Sequence, residues 1–179
     1  SQIVTRCVND RLVALLSGEQ GQVLSQQVQN WSSEDRQAVG AAFIRQFHQA
    51  SIGAVNAITS EAAQLNESVK SYSTTLLATV SLRCGDELFA AAFWMGDGAI
   101  AAYGPAGKVR VLGTPDSGEY AGQTRFLDAE AVADTEFSKR LSIGKWPELS
   151  HLLLLTDGVS HPWFATEHGL RPAAKWDAL

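Results

Sequence analysis

The sequence predicts an α+β fold in which helices come first and a run of antiparallel strands follows. Two observations support this prediction. Apolar residues first recur at the helical period, and further along the chain they alternate with the period of two that a strand requires. The strands are short, are separated by turn-forming residues, and include one that is apolar on both faces. This pattern is typical of two sheets that pack face to face with helices outside them.

Length and composition favour a single domain over residues 1–179. The chain has 179 residues, 45% of them hydrophobic, which is enough to bury one sizeable core. Two independent domains would each be small. The chain also begins inside an apolar helical pattern without an initiator Met, so we expect it to be part of a longer protein.

The helical region contains two predicted helices. The first begins near the start of the chain and ends at Gly18, and the polar segment 19–30 is interpreted as a loop or a frayed helical end. The second begins at residues 32–35, Ser-Ser-Glu-Asp, which have the form of a capping box. Apolar or small residues then recur at helical spacing as far as Val69, so this helix is long and amphipathic.

The strand region begins at residue 73, and its first hairpin turn is predicted at residues 84–86, Cys-Gly-Asp. The next strand, residues 88–95, is apolar on both faces, so we expect it to be central and covered on both sides. Residues 104–107, Gly-Pro-Ala-Gly, are a strong hairpin signal. Residues 128–147 show no clear pattern. The other predicted strands are short: 99–103, 108–112, 124–127 and 151–156.

Charge and cysteine usage exclude several classes of protein. The net charge of −5, the pI near 5.3 and the presence of only 14 Lys and Arg residues disfavour a nucleic-acid partner. Cys7 and Cys84 lie far apart and form no metal-binding or disulfide pattern, which fits a reducing cytoplasm. There is no secretory leader and no run of about 18 apolar residues, so we expect a soluble, cytoplasmic protein without a membrane partner.

Two segments share a layout in which an apolar strand runs directly into Asp-Gly, at Asp97-Gly98 and at Asp157-Gly158. A carboxylate at the end of a rigid strand is a hard oxygen ligand, and the glycine after it leaves space for an ion or a phosphate. If the two strands are neighbours, the carboxylates repel each other unless a cation lies between them. The alternative interpretation is an ordinary strand-end turn, in which Asp accepts backbone hydrogen bonds two residues on.

Four segments, in order, resemble motifs of the type 2C family of metal-dependent serine/threonine phosphatases. Residues 73–78, Ser-Thr-Thr-Leu-Leu-Ala, are similar to the family's Ser-Thr strand, and residues 95–98, Met-Gly-Asp-Gly, to its Gly-Asp turn. Residues 153–159, Leu-Leu-Leu-Thr-Asp-Gly-Val, resemble its late Asp-Gly strand. Residues 118–124, Gly-Glu-Tyr-Ala-Gly-Gln-Thr, resemble a loop of a bacterial branch. The resemblance covers Ile3 to Val159.

The resemblance implies a four-layer α-β-β-α sandwich with two divalent cations, Mn or Mg, at one end of the paired sheets. It implies that Asp157 is a core metal ligand, that Asp97 lies near the metals, and that Gly158 belongs to the same metal site. The reaction implied is hydrolysis of phosphoserine and phosphothreonine in proteins by a metal-activated water. Its partners would be a phosphoprotein substrate and a Ser/Thr kinase that the phosphatase opposes in signalling.

The chain departs from the family pattern at three places. Family members carry an Asp-Gly-x-Gly stretch before the first helix, and this chain begins inside that helix. They carry a late acidic metal ligand, and this chain stops at Leu179 without one. Four residues past Asp157, where many members have a further acidic ligand, this chain has His161, which we interpret as a turn residue before Pro162. We therefore expect this chain to be truncated at both ends, to bind metal weakly and to be nearly inactive, and the intact protein to be active.

Three other functions fit parts of the sequence. A catalytically dead phosphatase fold that serves as a binding or regulatory module stays open, because metal ligands are missing. Residues 96–101 fit the Gly-x-Gly-x-x-Ala dinucleotide fingerprint, with Asp116 about 20 residues on, but too few residues follow for the helix that the fingerprint must open. A Ser/His/Asp hydrolase is disfavoured because no Gly-x-Ser-x-Gly elbow occurs, so His48, His151 and His168 are interpreted as surface or satisfied core residues.

Overall fold

The computed structural model of the chain describes residues 2–32, 34–105, 108–113, 116, 124–156 and 158. The predicted α+β class is confirmed, with helices first and strands after them. The α-helices are α1 (Gln2–Ser17), α2 (Glu19–Gln29), α3 (Asp35–Leu65) and α4 (Ala129–Ala133). The strands are β1 (Leu76–Cys84), β2 (Glu87–Met95), β3 (Ala99–Gly104), β4 (Lys108–Gly113), β5 (Leu141–Trp146) and β6 (His151–Leu155). Short 3-10 helices span Val69–Tyr72 and Thr135–Arg140.

The chain forms two compact units. The helical unit contains the residues up to Leu76 together with Phe126–Lys139. The strand unit contains Leu77–Arg125 and the described residues from Arg140 onward. The three long helices thus belong to one unit, and both sheets belong to the other.

Helix α2 corrects the sequence prediction, because residues 19–29 form a helix rather than a loop or a frayed end. Its buried side includes Leu24 and Val28, which are one helical turn apart, and α2 contacts both α1 and α3. The prediction was wrong because the segment is rich in glutamine and shows few apolar residues. Glutamine is nevertheless a good helix former, and the buried stripe is sufficient to dock the helix.

Helix α3 begins with the predicted capping box. The Ser32 N–H donates to Asp35 Oδ2 at 3.0 Å, and the Asp35 N–H donates back to Ser32 Oγ at 3.4 Å. The helix ends at Leu65 rather than at Val69, because Asn66 adopts a left-handed conformation with φ of 55°. Its buried face repeats at the helical period and packs against α1: Val39, Phe43, Phe47, Ala50, Ala54, Ile58 and Ala62.

The first sheet has the strand order β1-β2-β5, so β2 is central as its apolar faces predicted. β2 and β5 pair antiparallel, with Leu88 opposite Trp146 and Phe93 opposite Leu141. Strand β5 lies within residues 128–147, the segment whose pattern predicts no element. Its Gly144 and Lys145 are not typical of strands, and β5 forms because β2 offers a buried edge for pairing.

The second sheet has the strand order β4-β3-β6, and its three strands match the predicted segments closely. β3 pairs antiparallel with β4 on one side and with β6 on the other. The core between the two sheets is formed by small and aliphatic side chains, and the many alanines allow the backbones to approach. Its buried members are Leu88, Ala90, Ala92, Ile100, Ala102, Leu112 and Leu149.

The prediction of a strand at residues 124–127 is wrong. All four residues are described, and they form an irregular segment in which the Leu127 N–H donates to the Thr74 carbonyl at 2.8 Å. Asp128 then caps α4, because its Oδ1 accepts from the Ala131 N–H at 2.7 Å. Within the part of the chain that the structure describes, no helix has the length and apolar character needed to cross a bilayer.

Candidate functional site

The Gly96–Gly98 turn is the place where the chain leaves β2 of the first sheet and enters β3 of the second. Gly96 has φ of 115°, which L residues with a side chain rarely adopt. A Cβ on Gly98 would lie 2.6 Å from Leu77 Cδ1 and 2.7 Å from the Leu155 carbonyl oxygen. Both glycines are therefore required for the sharp crossing that carries Asp97.

The β3–β6 ladder places Ala99 and Leu155, which flank the two Asp-Gly segments in sequence, at one end of the second sheet. In the β3–β6 ladder Ala99 lies opposite Leu155. Asp97 precedes Ala99 by two residues, and Asp157 follows Leu155 by two residues. The two strands that run into these segments are not neighbours, which corrects the sequence expectation: β2, which precedes Asp97, belongs to the first sheet, and β6 belongs to the second. It is β3, the strand after Asp97, that pairs with β6.

Two of the predicted residues of this region lie outside the described residues, namely Asp157 and His161. Gly158 is described and exposed, and a Cβ on it would lie 3.9 Å from Thr156 Oγ1, an ordinary van der Waals contact. Its place in the metal site, and that of Asp157, stay predictions.

Asp97 is half-buried, and its carboxylate contacts a residue far along the chain. The Thr124 hydroxyl donates to Asp97 Oδ2 at 2.8 Å. A hydroxyl donor restricts the rotation of a carboxylate, and a carboxylate oxygen is a hard ligand.

The backbone N–H and carbonyl of Gly96 also form hydrogen bonds, both with Asp116. The Gly96 N–H donates to Asp116 Oδ2 at 2.8 Å, and the Gly96 carbonyl accepts from the Asp116 N–H at 2.9 Å. Arg140 Nη1 in turn lies 2.9 Å from each carboxylate oxygen of Asp116. Segments distant in sequence therefore fix the turn that precedes Asp97.

The residue types at this end suit a hard divalent cation, since Mg²⁺ and Mn²⁺ prefer carboxylate and other oxygen ligands. Among the described residues this turn has the carboxylates of Asp97 and of Asp116, which is bound by Gly96 and Arg140, and there is no cluster of three or more His, Cys, Asp or Glu side chains. A ligand set there requires Asp157 as well. The chemistry of the donors fits the predicted cations, and Asp97 and Asp157 are the residues that would hold them.

The histidines that the structure describes lie elsewhere. His48 in the helical unit is half-buried, its Nε2 lies 2.9 Å from the Val132 carbonyl, and its ring packs edge-on against Phe137. His151 begins β6, and its Nδ1 lies 2.7 Å from Ser150 Oγ. His48 is thus a satisfied, half-buried residue and His151 an exposed one, which are the two alternatives that the sequence left open, and His168 lies outside the described residues.

The dinucleotide alternative is incompatible with the structure. Residues 99–104 after the Gly-x-Gly motif form strand β3, paired antiparallel on both sides, whereas the fingerprint must open a helix. Asp116, the acidic residue about 20 residues past that motif, accepts from the Gly96 N–H and pairs with Arg140. Cys7 and Cys84 are free thiols, as their spacing predicted.

Sequence reasoning missed the roles of Asp116 and Arg140. Thr124 fell at the end of the Gly-Glu-Tyr loop motif, so its type and approximate location were available. Asp116 lies in a turn-rich loop and Arg140 in the segment without a pattern, and nothing local distinguishes them from solvated charges. Asp116 and Arg140 come close to Gly96 only when the two sheets have formed and packed together.

Comparison with known proteins bears on the whole chain. A family model described as protein phosphatase 2C matches residues 1–178. No curated protein matches the chain. The matched range includes both sheets, the Gly96–Gly98 turn and the segment that contains Asp157.

Proposed function

The chain belongs to the protein phosphatase 2C family, and we propose that the intact protein removes phosphate from phosphoserine and phosphothreonine in proteins. The family indicates a metal-dependent phosphatase, which is a hydrolase. The observation that carries the finer proposal is the antiparallel pairing of β3 with β6, with Ala99 opposite Leu155. This pairing supports a common site for the two carboxylates that precede β3 and follow β6.

We infer that Asp97, Asp157 and Gly158 contribute to a site for two divalent cations, Mn²⁺ or Mg²⁺. When bound, the cations supply a nucleophilic water at neutral pH and neutralise the charge of the phosphate. Asp97 and Asp157 would repel each other at short range, and a cation between them removes that repulsion. The pair therefore favours a bound cation over an empty site.

The other residues at this end prepare the site. Thr124 donates to Asp97 Oδ2 and restricts the rotation of that carboxylate. Gly98 contacts Leu77 and the Leu155 carbonyl too closely for any side chain, so the turn can follow only this path. The buried strand β2 precedes the turn and holds its first residue rigidly in place.

We further propose a phosphoprotein substrate, an opposing Ser/Thr kinase and a cytoplasmic location in a bacterial signalling system. The support for the location is the pair of free cysteines, Cys7 and Cys84, because thiols persist in a reducing compartment. The support for a kinase is chemical, since a phosphatase acts on a product that a kinase makes.

The direct test is release of inorganic phosphate from a phosphothreonine peptide in the presence of Mn²⁺. From the intact protein we expect release that stops when EDTA is added, and little release from the matching phosphotyrosine peptide. Asp97→Asn and Asp157→Asn each remove an anionic oxygen ligand, so we expect kcat/KM to fall at least about 100-fold for Asp157→Asn and by less for Asp97→Asn.

The matched control is Asp86→Asn, because Asp86 is exposed in the turn between β1 and β2, at the other end of β2. We expect its kcat/KM to equal that of the wild type. Phosphate release that persists in EDTA would contradict the proposal. Binding of the phosphopeptide without release would instead favour a regulatory binding module.

A further inference from the structure

Asp116, which is ion-paired with Arg140 next to the candidate site, binds both backbone polar groups of Gly96. Asp116 accepts from the Gly96 N–H at 2.8 Å and donates its own N–H to the Gly96 carbonyl at 2.9 Å. Arg140 Nη1 lies 2.9 Å from both oxygens of the same carboxylate. The chain separations are 20 residues for Gly96–Asp116 and 24 residues for Asp116–Arg140. These contacts are therefore tertiary and do not belong to a local turn.

The pair is shielded from solvent. The side chains of Arg140 and Asp116 are 14% and 22% exposed, against 74% and 56% for the nearby pair of Lys139 and Glu136. Exposed pairs contribute little because water and salt screen them, whereas a shielded charge that loses its partner is costly. Removing Arg140 should therefore destabilise the charge of Asp116 more than removing Lys139 destabilises the charge of Glu136.

The position of the pair explains what it can do. Arg140 directly precedes β5 in the first sheet, and Asp116 follows β4 in the second. Gly96 lies where the chain crosses from the first sheet to the second. The ion pair therefore links the two sheets at the crossing, and Asp116 fixes the backbone of Gly96, the residue before Asp97.

Asp97 is consequently held on two sides. Its backbone follows Gly96, whose φ of 115° is maintained by the two hydrogen bonds to Asp116. Its side chain accepts from the Thr124 hydroxyl at 2.8 Å. A metal ligand must be placed within a fraction of an ångström, and residues behind the ligands usually provide this placement.

We propose that Asp116 and Arg140 are positioning residues, which set the orientation of Asp97 through the Gly96 peptide and thereby the affinity of the site for a divalent cation. This proposal rests on the proposed function, since it assumes that Asp97 contributes to a cation site. A purely structural ion pair predicts a different result: lower stability of the fold with unchanged cation affinity in the protein that remains folded.

The test compares Arg140→Gln, Asp116→Asn and the double variant with the wild type, using two measurements. The first is the dissociation constant for Mn²⁺ by isothermal titration calorimetry at a temperature where all variants are folded. The second is the hydrogen-exchange rate of the Gly96 amide by NMR. We expect each single variant to weaken Mn²⁺ binding about 10-fold and to accelerate exchange at Gly96 about 10-fold. The double variant should bind Mn²⁺ with about the same dissociation constant as the single variant that binds it less tightly, because both residues act through one network.

Lys139→Gln is the matched control, since it removes a neighbouring cation and breaks an exposed ion pair. It should leave both measurements within about twofold of the wild type. If Arg140→Gln does not fold, Arg140→Lys replaces it, with the same expected direction, because Lys keeps the charge but not the planar guanidinium.

The possible outcomes separate this proposal from the proposed function. If the wild type binds Mn²⁺ and the variants bind it equally well, the positioning role is overturned while the phosphatase proposal stands. If the wild type binds no Mn²⁺, both are overturned. Weaker Mn²⁺ binding in the variants together with unchanged exchange at Gly96 would also contradict the proposal, because the effect would not pass through that peptide.

Discussion

Asp97 accepts a hydrogen bond from Thr124, and Gly96 beside it is held by Asp116. At the scale of single residues, the sequence predicted the type of residue at this turn, because an Asp-Gly pair at the end of an apolar strand has a recognisable chemistry. It could not predict the partners. Asp116 reaches Gly96 only because β2, β3 and β4 meet at one end, and that meeting is a property of the folded chain.

Ser51 provides a test of polar burial within α3. Its side chain is fully buried, and its Oγ has no hydrogen-bond partner in the part of the chain that the structure describes. A buried hydroxyl without a partner loses its hydrogen bonds to water, so we expect Ser51→Ala to raise the free energy of unfolding by about 1 kcal/mol in urea denaturation.

The control for this variant is Ser60→Ala, an exposed position on the same helix. It isolates the gain in helix propensity, about 0.5 kcal/mol. A destabilised Ser51→Ala protein would show that the hydroxyl has a partner of structural importance.

Tyr72 provides a test of local electrostatics with a defined pH range. Its hydroxyl donates to Glu67 Oε2 at 2.7 Å, and this hydrogen bond to a carboxylate raises the pKa of Tyr72 to about 12 from its ordinary value of 10.0. Because the folded-state pKa is the higher one, the stabilising contribution is complete below pH 10 and is lost as the pH rises toward 12.

Absorbance of tyrosinate near 295 nm measures this directly, with Tyr72→Phe used to subtract the other tyrosines. In Glu67→Gln the carboxylate is absent, so the pKa of Tyr72 should return toward its ordinary value. A Tyr72 that titrates identically in Glu67→Gln and in the wild type would show that the hydrogen bond does not persist in solution.

At the scale of secondary-structure elements, the sequence predicted those whose own residues determine them. β2 was predicted as central because it is apolar on both faces, and α3 was predicted from its capping box and its helical period. β5 could not be predicted, since Gly144 and Lys145 disfavour a strand and the pairing edge of β2 decides the outcome. In the same way α2 depends on docking against α1 and α3 more than on its own pattern.

The docking of α2 can be measured through Leu24, which is 5% exposed. Leu24→Ala leaves a cavity between α2 and its neighbours, so we expect the free energy of unfolding to fall by about 3 kcal/mol in urea denaturation. Val23 is adjacent on the same helix and is 55% exposed, so Val23→Ala should change the free energy of unfolding by less than about 0.5 kcal/mol. Equal effects of the two substitutions would contradict a packed α2.

At the scale of the whole molecule, the chain divides into a helical unit and a strand unit, and the candidate site belongs to the strand unit. The sequence predicted two stacked antiparallel sheets from the order and period of its strands, and membership of the protein phosphatase 2C family agrees with that prediction. The central claim is that the Asp-Gly segments at Asp97 and Asp157 share one cation site at the common end of β3 and β6.

The most direct test of that claim is the broadening of backbone amide NMR signals by substoichiometric Mn²⁺, a paramagnetic ion. The account predicts that the amides of Asp97 and Gly158 broaden together at the lowest Mn²⁺ concentrations. The amide of Asp86, at the opposite end of β2 and about 30 Å away, should stay sharp. Broadening at Asp97 without broadening at Gly158, or broadening first at Asp86, would contradict a shared site.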